Sequence, residues 1–528
     1  MEDRNKIWRF LPNGESFEMD QDDSKVLSEI IAYKKSKVVM EVNDRRVHYD
    51  SNVLNEIIGH KSYVKTKIKD RRVHYLKLDA RIGRVLPPCI AKLDALEILN
   101  LKNCDNLKEI PQWIGELKNL KHLFYPCSIQ DLAIPDAIGD LCKLETFVYD
   151  NPKNALYGES RTQIPTSIAK LKNLKALWVS GVRPLAEEIA NLSSSLQVLR
   201  LCYYEAIPES LPACIGDFAN LRTLDLTFVR SLPESIGKLA NLQELRLAHM
   251  RNIKSLPESI GDLTNLKVLT IFFSGIESLP QSIGNLQGLR TLYLSGNPNL
   301  KSFPDSIGAL TRLEHLNLDS AGITSLPSSV CNLPNLWLVM LEETEHLKQL
   351  PDEIGNLANL EFLFLPNSKI KSLPDFHRMK NLKKLRFLRL DGTAVETDSS
   401  FQDSVLKLAS ELPLLTCIGD IKCENKAKEN FLSESMFFNR ARSTIFHSGN
   451  QNGCSGIPAS LWPLILAKDP VVFRLESWKP LETLEKSKKK ILTAYLEHFL
   501  ECKSFSSYQE QSDFVFRLLV EHGLNFLR

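Results

Sequence analysis

Apolar positions along this chain fall into one motif, and the motif recurs. Pro212, Pro233, Pro257, Pro280, Pro304, Pro327, Pro351 and Pro374 are separated by 21 to 24 residues. An Ile or Val follows most of them three residues on, often with Gly and then Leu, as in Ile260-Gly261-x-Leu263 and Ile283-Gly284-x-Leu286. Next comes Leu-x-x-Leu-x-Leu, as in Leu242, Leu245, Leu247 and Leu289, Leu292, Leu294. Pro87, Pro111, Pro135 and Pro165 open earlier copies, and a degenerate unit runs from Pro184 to Leu201. The total is about thirteen repeats of 23–24 residues.

Leu-x-Leu alternation predicts a short strand with one face buried. The stretch from Pro to Ile-Gly-x-Leu is too short for a long helix and predicts one turn of helix or 3₁₀ with Pro near its start. An Asn step such as Asn297 to Leu300 turns the chain back. A unit of this length cannot bury its own leucines, whereas stacked copies can, which predicts an α/β solenoid with its strands on the concave side.

The form Leu-Pro-x-Ser-Ile-Gly-x-Leu-x-x-Leu-x-x-Leu-x-Leu resembles the leucine-rich repeat family, in particular the intracellular Ras-group, plant-like type and related bacterial effectors. The resemblance implies a leucine-rich repeat horseshoe that binds proteins. It also implies an effector reaching a host cytosol by a non-Sec route. Fold alone does not name a function.

Four regions follow: an N-terminal cap at 1–72, the solenoid at 73–398, a C-terminal cap of the array at 399–423 and a helical domain at 424–528. Asp44-Arg45-Arg46-Val47-His48-Tyr49 recurs at Asp70 to Tyr75. The second copy leads into Leu76-x-Leu78 and reads as the first strand of the array. The first reads as a capping strand, with a phosphate-contacting basic arm as the alternative. The cap at 399–423 comprises a helix from Ser404 to Leu412 and a strand from Leu414 to Ile421. Beyond Cys423 the periodicity is helical over Asn430 to Arg442, Ala459 to Ala467, Leu481 to Cys502 and Asp513 to Leu527. In the third of these Leu484, Ile491, Leu492, Tyr495, Leu496, Phe499 and Leu500 share one face, and most of Lys486 to Lys490 lie on the other.

Charge changes the picture by exclusion. Sixty-six Lys and Arg against 64 Asp and Glu leave a net charge of +2, which argues against a nucleic-acid or anionic-membrane coat. No apolar run is long enough to span a bilayer. The 11 Cys are scattered and suggest reduced thiols in the cytoplasm. No phosphate loop, zinc-protease motif or serine elbow is present, and no cofactor or metal is expected. Cys417, Cys423, His498 and Cys502 can be drawn as a zinc site, but no close Cys pair supports it. Cys454, in Gly453-Cys454-Ser455-Gly456, is the candidate nucleophile if the chain is a ubiquitin-ligase-like effector, with repeats as substrate receptor and the helical domain engaging ubiquitin-conjugating machinery.

The x positions of each strand point away from the leucine core. They give Trp178, Arg200, Asp225 and Arg246, then Thr270, Phe272, Tyr293, His315, Asn317 and Asp319, then Leu338, Met340, Glu342, Phe362, Phe364, Phe387 and Arg389. Large apolar groups on three successive strands suggest a surface covered by a partner or by the chain's own C-terminal domain. The predicted site is Phe272, Tyr293, His315, Asn317, Leu338, Met340, Phe362, Phe364, Phe387 and Arg389, taking a protein partner without catalysis by the array. Phe364→Asp is expected to leave the fold intact, and outward Thr291 to tolerate change.

Overall fold

The computed structural model describes strands at 7–10, 16–19, 36–42, 45–48 and 62–69, and the array from 72 to 395 except 80–83, 105, 127–131, 151–161, 183–186, 204–207, 375 and 391. It also describes 412, 415 and 417–418. The expected helix from Ser404 and everything read into 424–528, Cys454 included, lie outside the described residues. The chain divides into two units, Met1–Leu266 and Lys267–Arg528.

In the first unit, β1 (Ile7–Phe10) and β2 (Ser16–Met19) form an antiparallel pair. β3 (Ser36–Val42) pairs antiparallel with β4 (Arg45–His48), which carries four residues of the first copy of the duplicated hexapeptide, and parallel with β5 (Ser62–Lys69). β6 (Arg72–Asp79) carries most of the second copy. It is antiparallel to β5 and parallel to β7 (Ile98–Asn103), so the ladder changes sense there. Parallel pairing continues through β8 (His122–Phe124), β9 (Thr146–Asp150), β10 (Ala176–Ser180), β11 (Val198–Cys202), β12 (Thr223–Thr227) and β13 (Glu244–Ala248).

The second unit repeats the scheme. β14 (Val268–Phe272), β15 (Thr291–Tyr293), β16 (His315–Asn317), β17 (Leu338–Met340), β18 (Phe362–Phe364), β19 (Phe387–Arg389) and β20 (Cys417–Ile418) pair in order, all parallel. Between strands lie 3₁₀ segments such as Gln281–Asn285 and Asp305–Ala309, and one α-helical turn, α1 (Phe376–Met379).

The sequence explains each piece. Pro280 sits at the N-cap with φ −67°, and Ile283 N–H donates back to its carbonyl at 3.1 Å, closing a three-residue turn. Leu286 N–H then donates to Ile283 O at 3.2 Å. Leu242, Leu245 and Leu247 are fully buried, as are their counterparts Leu289, Leu292 and Leu294. The recurring Gly after Ile has a packing reason. A Cβ at Gly284 would meet Ser306 O at 2.5 Å, closer than any Cβ sits. Glycine therefore lets successive 3₁₀ segments touch.

Two kinds of Asn tie repeats together. Asn297, fully buried, donates through Nδ2 to Ile271 O at 2.8 Å and Leu294 O at 2.7 Å and accepts from Ser274 N at 2.9 Å. It is a bracket between coils as well as a turn residue. The Asn before each strand does something different. Nδ2 of Asn220 donates to Ser194 O at 2.8 Å, and that of Asn241 to Ala219 O at 2.8 Å, one repeat back. These bonds satisfy carbonyls that the irregular connections would otherwise leave bare.

Candidate partner-binding surface

Parallel register sorts the outward side chains of the second unit into rows. One row is Thr291, His315, Leu338, Phe362 and Phe387, ending at Cys417. The next is Thr270, Tyr293, Asn317, Met340, Phe364 and Arg389. Phe272 stands at the end of β14, two residues past Thr270 and half-buried. The structure thus brings nine of the ten predicted residues into two adjoining rows, with neighbouring strands about 4.8 Å apart.

Their burial differs from the sequence expectation. Phe364 is 3% exposed and Met340 2%, and Tyr293, His315, Asn317, Leu338, Phe362 and Phe387 are buried too; only Phe272 and Arg389 are partly open. Thr291, expected to be tolerant, is buried and shares a 3.1 Å hydrogen bond with His315 Nδ1. The physical reason is side-chain size: rings on strands this close shield one another. Phe362 stacks on Phe387 at 5.0 Å and on Phe364 at 6.1 Å between centroids.

Trp337 completes the cluster, and sequence reading missed it. Its ring meets His315 edge-on at 4.7 Å and Phe362 at 5.6 Å. The residue before the strand is Lys267, Arg290, Glu314, Glu361 or Arg386 in the neighbouring repeats, so an indole in a charged column was the available signal. Polar groups edge the patch. Asn317 Nδ2 donates to Met340 Sδ at 3.4 Å, and Asp319 Oδ1 accepts from Glu342 N at 2.8 Å.

Just past the strand, each repeat from β14 to β19 places one residue in the left-handed region. Gly296, Ser320, Glu343, Asn367 and Gly392 fill that place in five of these repeats, and Phe273 does so at φ 48° after β14. Phe273 is 47% exposed, and its ring lies where a Gly296 Cβ would stand. A bulky left-handed residue marks backbone strain, which collects at functional positions.

The first unit presents a different face. Phe124, Val148, Trp178, Arg200, Asp225 and Arg246 form its central row. Arg200 lies 4.2 Å from the Trp178 ring centroid and pairs with Asp225 at 3.2 Å, while Lys102 Nζ sits 5.2 Å above Trp178 and 5.9 Å above Phe124. Phe228 and His249, both left-handed, stack at 5.0 Å.

Among the described cysteines, Cys89, Cys104, Cys142, Cys202, Cys214 and Cys331 are free thiols. Burial, and secondly the charge of Glu353, pushes Cys331 up to about 12. Burial, with the nearby Tyr149 second, raises Tyr125 well above the ordinary phenol value. Neither is a poised reactive group; Tyr125 donates its hydroxyl to Ala133 O at 2.8 Å.

Stacked coils with a parallel strand face in each unit define a repeat-built scaffold, a class that generally mediates protein–protein interaction. The model of the leucine-rich repeat region family matches residues 159–279, 234–314 and 280–466, more than half of the chain, and the chain belongs to that family. It is 30% identical to TMV resistance protein N of Nicotiana glutinosa over 164 residues, 31% of this chain and 12% of that protein. Disease resistance-like protein DSC1 of Arabidopsis thaliana is 27% identical over 189 residues, 34% of this chain and 14% of its own length. The chain therefore spans a small part of these relatives. A leucine-rich repeat protein of Leptospira interrogans superposes with a TM-score of 0.53 at 28% identity, covering 63% of this chain and 81% of that one. A chain of the Toll–Spatzle complex of Drosophila shares the fold, with a TM-score of 0.50 at 19% identity over 74% of this chain and 52% of that one. No helix among the described residues is long and apolar enough to cross a membrane.

Proposed function

We propose that the chain is a protein-recognition scaffold whose strand face in the second unit takes a protein partner, with Tyr293, His315, Met340, Phe362 and Phe364 at its centre. The observation that carries this reading is the aromatic cluster itself: Trp337, Leu338, Met340, Phe362, Phe364 and Phe387 pack together on the side of the sheet away from the leucine core. Aromatic and Met side chains are what interface centres favour. Phe272, Phe273 and Arg389, partly or well exposed, supply the more open rim. The reading extends to an effector in a host cell, supported by likeness both to plant resistance proteins and to a Leptospira protein. A reducing, cytoplasmic setting is supported by free thiols packed in the repeats, Cys104, Cys202 and Cys331 among them.

Affinity capture from host-cell extract, with quantitative mass spectrometry, tests it. A partner held by the unaltered chain should fall at least ten-fold with Phe364→Leu or Tyr293→Ala, and remain with Arg246→Ala on the first unit. Equal capture by all three variants removes the strand face of the second unit as the docking surface.

A further inference from the structure

We infer that the partner holds the second unit at its strand ends, through an extended segment that brings a basic side chain to Glu343 and an apolar one to Phe273. This rests on the proposed docking surface and names the partner's chemistry.

The strand ends line up from coil to coil. Phe273 N–H donates to Ser295 O at 3.3 Å, Gly296 N–H to Asp319 O at 2.8 Å, Ser320 N–H to Glu342 O at 2.7 Å and Glu343 N–H to Pro366 O at 3.0 Å. One column is therefore Phe272, Ser295, Asp319, Glu342 and Pro366, and its neighbour is Phe273, Gly296, Ser320, Glu343 and Asn367. Main-chain bonds fix the lateral order of both.

Openness rises toward these columns. Met340 and Phe364 are only 2–3% exposed. Phe273 is 47% exposed, Glu343 is exposed too, and Phe272 and Glu342 are partly open. A partner reaches them without parting the rings at the centre of the face. Phe273 and Glu343 both hold the left-handed conformation, at φ 48° and 55°, where Gly296 and Asn367 stand in sister coils. The coil closes with glycine as well, so stability does not select the ring or the carboxylate.

Charge sets what the segment must bring. Asp319, Glu342 and Glu343 stand in the two columns from β14 to β18, and no Lys or Arg stands there with them. Glu343 accepts from Ser320 Oγ at 3.0 Å and has no cationic partner among the described residues. An exposed carboxylate backed by two more attracts a cation and repels an acidic segment. Three strand spacings, about 14 Å, separate Glu343 from Phe273. An extended chain covers that in about four residues and turns both side chains to the same side. The segment therefore carries Lys or Arg about four residues from a large apolar side chain.

The experiment selects a phage-displayed library of random dodecapeptides on the full chain. The peptide most enriched is then synthesised with a fluorophore and titrated by polarisation. The selected pool should show Lys or Arg about four residues from Phe, Leu, Met, Trp or Tyr. Phe273→Gly should weaken binding at least ten-fold. Glu343→Asn should weaken it at least three-fold and remove most of its salt dependence. Both replacements suit left-handed backbone, and Glu343→Gly is a second charge-removing variant under the same criterion. A pool with no excess of Lys and Arg, no enrichment at all, or binding unchanged by Phe273→Gly or by Glu343→Asn overturns the inference. A neutral, apolar pool that is lost with Tyr293→Ala or Phe364→Leu leaves the docking surface standing and removes the basic segment. A basic pool that ignores those two variants but obeys Phe273→Gly and Glu343→Asn upholds the strand-end contact and removes the centre proposed above.

Discussion

The two units are built from one motif and differ in what they put on it. In the first, the central row passes from Phe124, Val148 and Trp178 to Arg200, Asp225 and Arg246, with Lys102 and Arg200 against the Trp178 ring and Arg200 tied to Asp225. In the second, the corresponding rows carry Leu338, Met340, Phe362, Phe364 and Phe387, joined from the side by Trp337. The leucine core behind both faces is interchangeable, Leu245 and Leu292 being equally buried. The same coil therefore accommodates different sets of strand-face side chains. Two surfaces of opposite physical character ride on one scaffold, one held by electrostatics and the other by apolar packing.

The largest break in the comparison should come from the part the units share. Leu292→Ala, fully buried, should cost roughly 2–5 kcal/mol, and Leu245→Ala about the same, read by urea denaturation. A difference of several kcal/mol between them would show that the units are not equivalent. Asn297→Ala leaves Ile271 O, Leu294 O and Ser274 N without their partner and should cost about 3 kcal/mol.

Smaller effects sharpen the contrast of the faces. Phe362→Leu should cost on the order of 1–2 kcal/mol whatever the salt concentration, because apolar packing is not screened. Arg200→Ala should cost about 1 kcal/mol, and less at high salt, its group being one-third exposed. Phe364→Asp, harmless by sequence reading alone, should instead destabilise the second unit, since a carboxylate would be buried among rings. Thr291→Val should cost about 1 kcal/mol for the hydrogen bond to His315.

The last expectation concerns thiol chemistry. At pH 8 Cys142 should react with a chromogenic disulfide within minutes, while Cys331, neutral at that pH, stays silent until the protein unfolds. Folding holds the Cys331 proton more tightly than the unfolded chain does. Its contribution is therefore complete below about pH 9 and lost as pH rises toward about 12.

The repeat was legible because stacking forces a fixed spacing of Pro, Ile, Gly and Leu on every coil. The rows of the strand face were legible for the same reason, since parallel register aligns equivalent positions. Three things were not. The depth of burial of Thr291 and Phe364 depends on the size of neighbours about one repeat away, such as His315 and Phe387, which alternation does not encode. Trp337 lies before the strand, outside the x positions used to pick outward residues, and reaches the cluster only through its length. Phe273 falls just past the strand, where only backbone geometry reveals a left-handed residue.

That left-handed column has a consequence for tolerance to change. Glycine adopts this conformation freely, whereas a residue with a Cβ costs about 1–2 kcal/mol there. Phe273→Gly should therefore be a rare replacement that removes a large side chain and yet leaves thermal stability level or slightly raised, because strain is released and the ring is 47% exposed. A saturation screen scored on folding alone would rank phenylalanine among the poor choices at 273. A screen scored on recognition should invert that order, which would make this coil one of the places where the chain trades robustness for grip.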